Sequence, residues 1–310
     1  MIASRLPLIS ILATLGLAVS GCSTLNRVAV NKLGDALAGG GTVFASDDDP
    51  DLIKAASPFS LKLMESLLAE SPEHPGLLLA TASGFTQYAY AFVHEDADEL
   101  EETNLSAATA MHTRARRLYL RARDYGLRGL EVAHAGLPAA LRKNPHAALQ
   151  TATKADVPLL YWTAAAWASA ITLSKDNPDL VGDLPIVEAM IDRALALNDT
   201  FNEGSVHGLL IAYEPGRPAG EGDPFERARR HFDRAVELSG GQQAGPFVSL
   251  AESVDVPKQN VSEFRAMLAR ALAINPDAHP DTRLVNLVMQ RRARWLLAHT
   301  EDLFLNTGPK

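Results

Sequence analysis

The sequence predicts an all-α chain, and three observations carry that prediction. The 310 residues are 47% hydrophobic but only 6% aromatic, and an Ala- and Leu-rich composition favours helices over a β-sandwich. No run shows the strict alternation of a half-buried strand. A pattern of a small or medium residue, a large apolar one four on, and Ala or Leu three further on recurs along the chain, usually ahead of Pro, Gly or Asp. Those offsets lie on one face of a helix. The small residue admits a neighbouring helix, the large one fills the gap beside it, and the breaker ends the helix.

From the N-terminus, Met1 to Arg5 is a short basic start, and Leu6 to Val19 is apolar and rich in small residues. That run is shorter than the roughly 20 residues of a spanning helix. With Ser20-Gly21-Cys22 it reads as a secretory signal. Val19-Ser20-Gly21-Cys22 resembles the bacterial lipoprotein box, which implies cleavage before Cys22 and lipidation of this single cysteine. The alternative is an ordinary signal peptide with a free thiol after the cut. The expected division is a signal peptide over 1–21, a lipidated segment and linker over 22–55, a helical domain over 56–305 and a tail over 306–310. Several acyl chains give a stable membrane anchor. Ser23, by resemblance to enterobacterial lipoproteins, implies the outer membrane, facing the periplasm. One cysteine makes no intrachain disulfide, so packing must hold the fold. A net charge of −8 argues against a nucleic-acid partner, which needs a basic footprint.

The linker holds "ASDDDPD" at 45–51. Leu52 stands where a calcium loop needs Gly, and no closing Glu follows, so this reads as a solvated linker or a helix cap. The recurring pattern then appears as Ser60, Met64 and Leu67 before Pro72. It returns as Ala115, Tyr119 and Ala122, and as Val187, Ile191 and Ala194 before Asp199. It closes as Ala228, Phe232 and Ala235 before Gly240, and as Phe264, Leu268 and Ala271 before Pro276. Between them lie the partner helices. Gly84, Ala164 to Ala166 and Gly208 are expected at close contacts. The apolar runs Leu77 to Val93 and Val157 to Leu173 carry Thr, Ser and Gln, and read as buried helices rather than membrane spans. Two insertions interrupt the array, one densely acidic over 95–102 and one over 130–156. Both are expected on the binding face.

No nucleophile motif, phosphate loop or dinucleotide fingerprint is present. The nine histidines show no pair at zinc spacing, so no metal or cofactor is expected. Arg114, Arg117, Arg121 and Arg128 share one helix face. They suit an anion, or pairing with the acidic insertion, or simple solvation. Tyr88, Tyr119, Tyr161 and Trp162 are candidates to line a concave groove, with Arg121 and Arg128 beside them to hold a carboxylate. Each aromatic reads equally well as core.

The recurring helix resembles the second helix of a tetratricopeptide repeat, A-x3-F…P. Its spacing from Ala235 to Ala271 is 36 residues, near the repeat's about 34; other intervals are longer, so the array is degenerate and TPR-like, an α-solenoid with insertions. Beyond the repeats, "ASPFSLKLMESLLAESPEHPGLLLATASGFTQYAYAFV", "RARRLYLRARDYGLRGLE", "DVPLLYWTAAAWASAI", "HFDRAVELSGG", "AESVDVPKQN" and "RLVNLVMQRRARWLLAHTEDLFL" together resemble the T component of TRAP transporters, the TatT family. The resemblance runs from about Ala55 to Leu305. It implies a non-enzymatic lipoprotein that associates with the TRAP substrate-binding protein and assists uptake of a small organic or hydrophobic ligand. A homo-oligomer is left open. Lys258, Gln259 and Asn260 carry over only as a signature loop. The alternative is an outer-membrane-tethered, TPR-like lipid carrier or assembly scaffold unconnected to transport.

Overall fold

The structure, a computed structural model, describes residues 30–217 and 221–306. The signal peptide, Cys22 and the last four residues lie outside the described residues. Every regular element among the described residues is helical, and none is long and apolar enough to cross a membrane. The helices are α1 (30–39), α2 (Gly41–Ala45), α3 (Pro50–Glu70), α4 (Pro75–Ala89), α5 (Glu95–Leu100), α6 (Leu105–Ala133), α7 (Leu137–Lys143) and α8 (Pro145–Ala148). They continue with α9 (Val157–Thr172), α10 (Pro178–Val181), α11 (Leu184–Leu197), α12 (Ser205–Tyr213) and α13 (Pro224–Leu238). The last four are α14 (Ala244–Leu250), α15 (Val261–Ala273), α16 (Arg283–Ala298) and α17 (Thr300–Leu303).

The acidic linker is a cap. Asp49 accepts from the amides of Asp51 and Leu52 at 3.1 and 3.0 Å, and Pro50 opens α3, as a short side-chain acceptor before a helical proline should. The helical body therefore starts at least six residues before the boundary read at 56. Upstream of it, α2 is tied to the far end of the chain: Arg283 Nη1 donates to Ser46 O at 2.8 Å.

The repeating face is the buried face. Ala115, Tyr119 and Ala122 on α6, Val187, Ile191 and Ala194 on α11, Ala228, Phe232 and Ala235 on α13, and Phe264, Leu268 and Ala271 on α15 are all buried. On α3 only Leu67 of the pattern is buried; Ser57 and Leu61 share its inward side. The two long apolar runs form the middle of the molecule. Helix α9 is covered by α4, α6 and α11, which is why Ala164, Ala165, Ala166 and Trp167 are all buried.

Close approach is selective. A Cβ at Gly84 would stand 2.9 Å from Leu61 Cδ2, as expected of a contact glycine. Gly208 was expected to do the same on α12, but a Cβ there meets nothing within 4 Å. The tightest crossing falls instead where α6 meets α9: Gly126 faces Thr163 and Gly129 faces Leu159. Glycine is needed there because two helices cross with no room for a side chain.

Both insertions are packed against the body. In the acidic one, Glu95 and Ala97 are buried as α5 lies along α6. In the other, Leu137, Leu141 and Leu149 enter the core of α9 and α11. An apolar residue every turn draws such a segment inward despite its charge. A further departure concerns the ends. An α-solenoid leaves them apart, but Val288 of α16 shares a core with Ile53 and Leu61 of α3 and with Tyr119 of α6. The array returns on itself, and Arg291 pairs with Asp96 at 2.8 Å and Glu99 at 2.6 Å.

The glycines yield opposite predictions. Gly208→Ala, mid-helix with free space, should raise stability by about 0.5–1 kcal/mol. Gly126→Ala should lower it by about 1–3 kcal/mol through overpacking against Thr163. Denaturant unfolding of both variants checks the pair; equal effects would refute the assigned α6–α9 crossing.

Candidate functional site

Two short π-helical turns, Tyr90–His94 and Ala251–Asp255, interrupt the helical runs. Each widens one turn by a residue, with Glu95 N bonding back to Tyr90 O and Val256 N to Ala251 O. Such turns are rare and redirect the side chains beyond them. Here the first delivers the Glu95 side chain to the interior, and the second carries Glu252 within reach of the same point. Between them stands Arg292 of α16. Its guanidinium lies 2.6 Å from Glu252 Oε1, 3.2 Å from Asp98 Oδ2 and 3.3 Å from Glu95 Oε2. The Trp295 ring covers it at 4.7 Å.

One guanidinium thus meets three carboxylates, largely out of water. Burial pushes the Glu95 carboxyl up to about 7; Arg292 pulls it down, and Glu252 and Asp98 push it up again. Burial also raises Glu252 against the pull of Arg292. Tyr90, beside them, is held well above the ordinary phenol range by burial and then by Glu95. Glu95 Oε2 and Arg292 Nη1 are buried without a hydrogen-bond partner.

A second group adjoins the first. His112 Nε2 lies 2.9 Å from Asp98 Oδ1. His94 Nε2 lies 3.9 Å from the same oxygen, and His94 Nδ1 lies 3.1 Å from Tyr119 Oη. The imidazole rings stand nearly perpendicular with centres 5.5 Å apart. Burial lowers the pKa of His94. The sequence reading missed both groups. His94 and Asp98 do sit one helical turn apart, but His112 and Arg292 reach them from α6 and α16, which no local spacing reveals.

The residues expected to form one groove divide between two cores. Tyr88 and Tyr119 belong to the core shared by α3, α4, α6 and α16, while Tyr161 packs against the core of α9 and α11. Tyr119 is fully buried. Tyr88 accepts from Arg114 Nη2 at 3.1 Å. Tyr161 and Trp162 are half-buried and meet edge to face at 4.9 Å, with Phe201 at 5.5 Å from Tyr161. The four arginines share an exposed face, as their spacing implied. Arg121 lies 3.7 Å from Glu65 and 5.4 Å from the Phe85 ring. Arg128 donates to Pro72 O at 2.9 Å and covers Tyr125. The acidic insertion pairs with Lys54, Arg291 and Arg292 instead.

The Lys258-Gln259-Asn260 loop is structural in every contact. Lys258 sits over the Phe225 ring. Gln259, in the left-handed region with φ of 55°, donates its amide to Leu303 O at 3.0 Å and accepts from Leu305 N at 2.9 Å. Asn260 caps α15 by accepting from Glu263 N. The loop fastens the C-terminal segment to the body.

Asp255, just before that loop, is buried, and neither of its carboxylate oxygens is hydrogen-bonded. Burial raises its carboxyl from 3.8 to about 7; Glu263 adds to the rise, and Arg229 at 4.0 Å opposes it. Below about pH 4 the group is protonated both folded and unfolded, so it costs nothing. As pH rises from about 4 to about 7 the unfolded chain ionises first, and folding loses about 1.4 kcal/mol per unit. Asp255→Asn removes that loss. Relative to the parent it should gain stability steadily across this window and hold the gain above it. Denaturant titrations at stepped pH check this, and a difference independent of pH would refute it.

The family model described as TRAP transporter T-component matches residues 46–304, nearly the whole helical body. The chain is also 32% identical over 268 residues to an uncharacterized protein of Treponema pallidum (strain Nichols), an alignment that covers 85% of this chain and 83% of that one. The match spans both π turns, α16 with Arg292, and the Lys258 loop. The chain belongs to the TRAP transporter T-component family.

Proposed function

We propose that the protein is a non-catalytic, periplasm-facing lipoprotein that serves a TRAP-type transport system by binding its substrate-binding protein, a small organic or hydrophobic ligand, or both. The family match over residues 46–304 carries this reading. The signal sequence that precedes Cys22 supports the lipid anchor, and no helix among the described residues is long and apolar enough to cross a membrane. The chemistry of the interior fits a binding role. Arg292 holds Glu95, Asp98 and Glu252 around one guanidinium, and such a fixed arrangement suits preorganised recognition. At the margin of the core of α9 and α11, the half-buried pair Tyr161 and Trp162 offers the amphipathic aromatic surface that binding sites favour. Among the aromatics first considered, these two serve as contact residues and Tyr119 serves as core.

The test is copurification from detergent-solubilised membranes of cells that express the full chain and the TRAP substrate-binding protein of the same organism. The parent should bring down that protein; its absence under all conditions would overturn the reading. Cys22→Ser should move the chain from the membrane to the soluble periplasmic fraction, and retention in the membrane would refute lipid anchoring. Trp162→Ala should weaken capture while the unfolding midpoint stays near the parent's. Tyr119→Ala should lower stability by about 3–5 kcal/mol. If both variants unfold early and neither changes capture selectively, the contact surface is not on α9.

A further inference from the structure

We propose that His94, Asp98 and His112 form a binding site for a divalent transition-metal ion of the zinc class. Each residue can offer one ligand atom, and these atoms all lie within 4.8 Å of one another. Asp98 Oδ1 is 2.9 Å from His112 Nε2 and 3.9 Å from His94 Nε2. A zinc ion bonds nitrogen and carboxylate oxygen at about 2.0–2.2 Å, so small side-chain rotations bring all three atoms onto one ion. The donor set is two imidazoles and one carboxylate. Imidazole selects zinc, copper, nickel or iron over calcium and magnesium, and three protein ligands leave a position for water or for a partner's side chain.

The surroundings resemble the support that metal ligands need. A ligating histidine fixes its tautomer by donating from its other ring nitrogen. His94 Nδ1 lies 3.1 Å from Tyr119 Oη, so donation there leaves Nε2 with its lone pair toward Asp98. Tyr119 is itself fully buried and cannot turn away. Asp98 is oriented the same way: its other oxygen, Oδ2, lies 3.2 Å from Arg292 Nη2, which leaves Oδ1 for the ion. The charge also fits. Arg292 is matched by Glu252 at 2.6 Å and by Glu95 at 3.3 Å, so Asp98 adds negative charge beyond what the guanidinium neutralises. A cation is favoured there. The three ligands come from α5, the π turn before it and α6, so an ion would clamp the acidic insertion onto the long helix. This inference does not rest on the transport reading, because it concerns the chain alone.

The experiment uses the full chain in detergent, stripped with a chelator, with Zn2+ followed by calorimetry and Co2+ by visible absorption. The parent should bind a single Zn2+ ion, and Co2+ should give the intense d–d bands of a four- or five-coordinate site with nitrogen ligands. His112→Ala and Asp98→Asn should each weaken Zn2+ at least about tenfold, as loss of a ligand must cost no less than loss of its supporting shell. Their circular dichroism should match the metal-free parent, which separates lost ligation from lost folding. His146→Ala, an exposed histidine on α8, should bind as the parent does. No Zn2+ binding at millimolar ion, or unchanged affinity in both His112→Ala and Asp98→Asn, would overturn the site.

Discussion

The guanidinium of Arg292 is the interaction on which the closed form of this molecule depends. It lies on the last long helix, yet Glu95 and Asp98 come from the first third of the chain and Glu252 from the last. Taking charges out of water costs several kcal/mol per ion, and only good geometry and further hydrogen bonds offset that. The geometry here is set by packing. Trp295 covers one face of the guanidinium, and the π turns hold Glu95 and Glu252 at the height it needs. Lysine would keep the charge but could not reach three acceptors in one plane. The pairing is therefore specific, and it selects one way for α16 to lie against α5 and the two π turns.

Around that point the fold is built by differences in side-chain size. Helices α3 and α4 approach closely at Gly84, and α6 and α9 at Gly126 and Gly129, because no side chain stands in the gap. Tyr119 and Trp167 then fill the space beside the crossings. Tight crossing makes the middle of the molecule rigid, since close-packed interiors transmit strain rather than absorb it. That rigidity lets Tyr119 hold His94 and lets α16 hold Asp98. The same residues that pack the core thus orient the polar cluster, and this links the repeat pattern to the candidate site.

Much of this was legible in the sequence, and the parts that were not share a cause. The inward faces of α6, α11, α13 and α15 follow directly from the small–large–small offsets, because burial along a helix obeys a fixed period. The cap at Asp49 and the burial of the two apolar runs followed from equally local rules. Gly208 misled because a helical glycine marks a contact only if a neighbour is there. Gly126 and Gly129 lie in an arginine-rich segment whose pattern gives no sign of the neighbouring α9. The acidic insertion looked like part of a binding face because the cations that pair with it lie on α3 and α16, outside its own segment. The four aromatics looked like one lining, but which core a residue joins depends on topology that spacing does not encode. The π turns carry no period of their own, and so the polar cluster they assemble was invisible.

Closure through Arg292 is the claim most open to direct measurement, by hydrogen–deuterium exchange of the parent and of Arg292→Ala. If the guanidinium holds α16 against both π turns, its loss should speed exchange in residues 90–100 and in 251–260 as well as in α16. Residues 184–197, in the core of α9 and α11, should keep their protection. Unchanged protection over 90–100, or equal loss in every segment, would contradict the account.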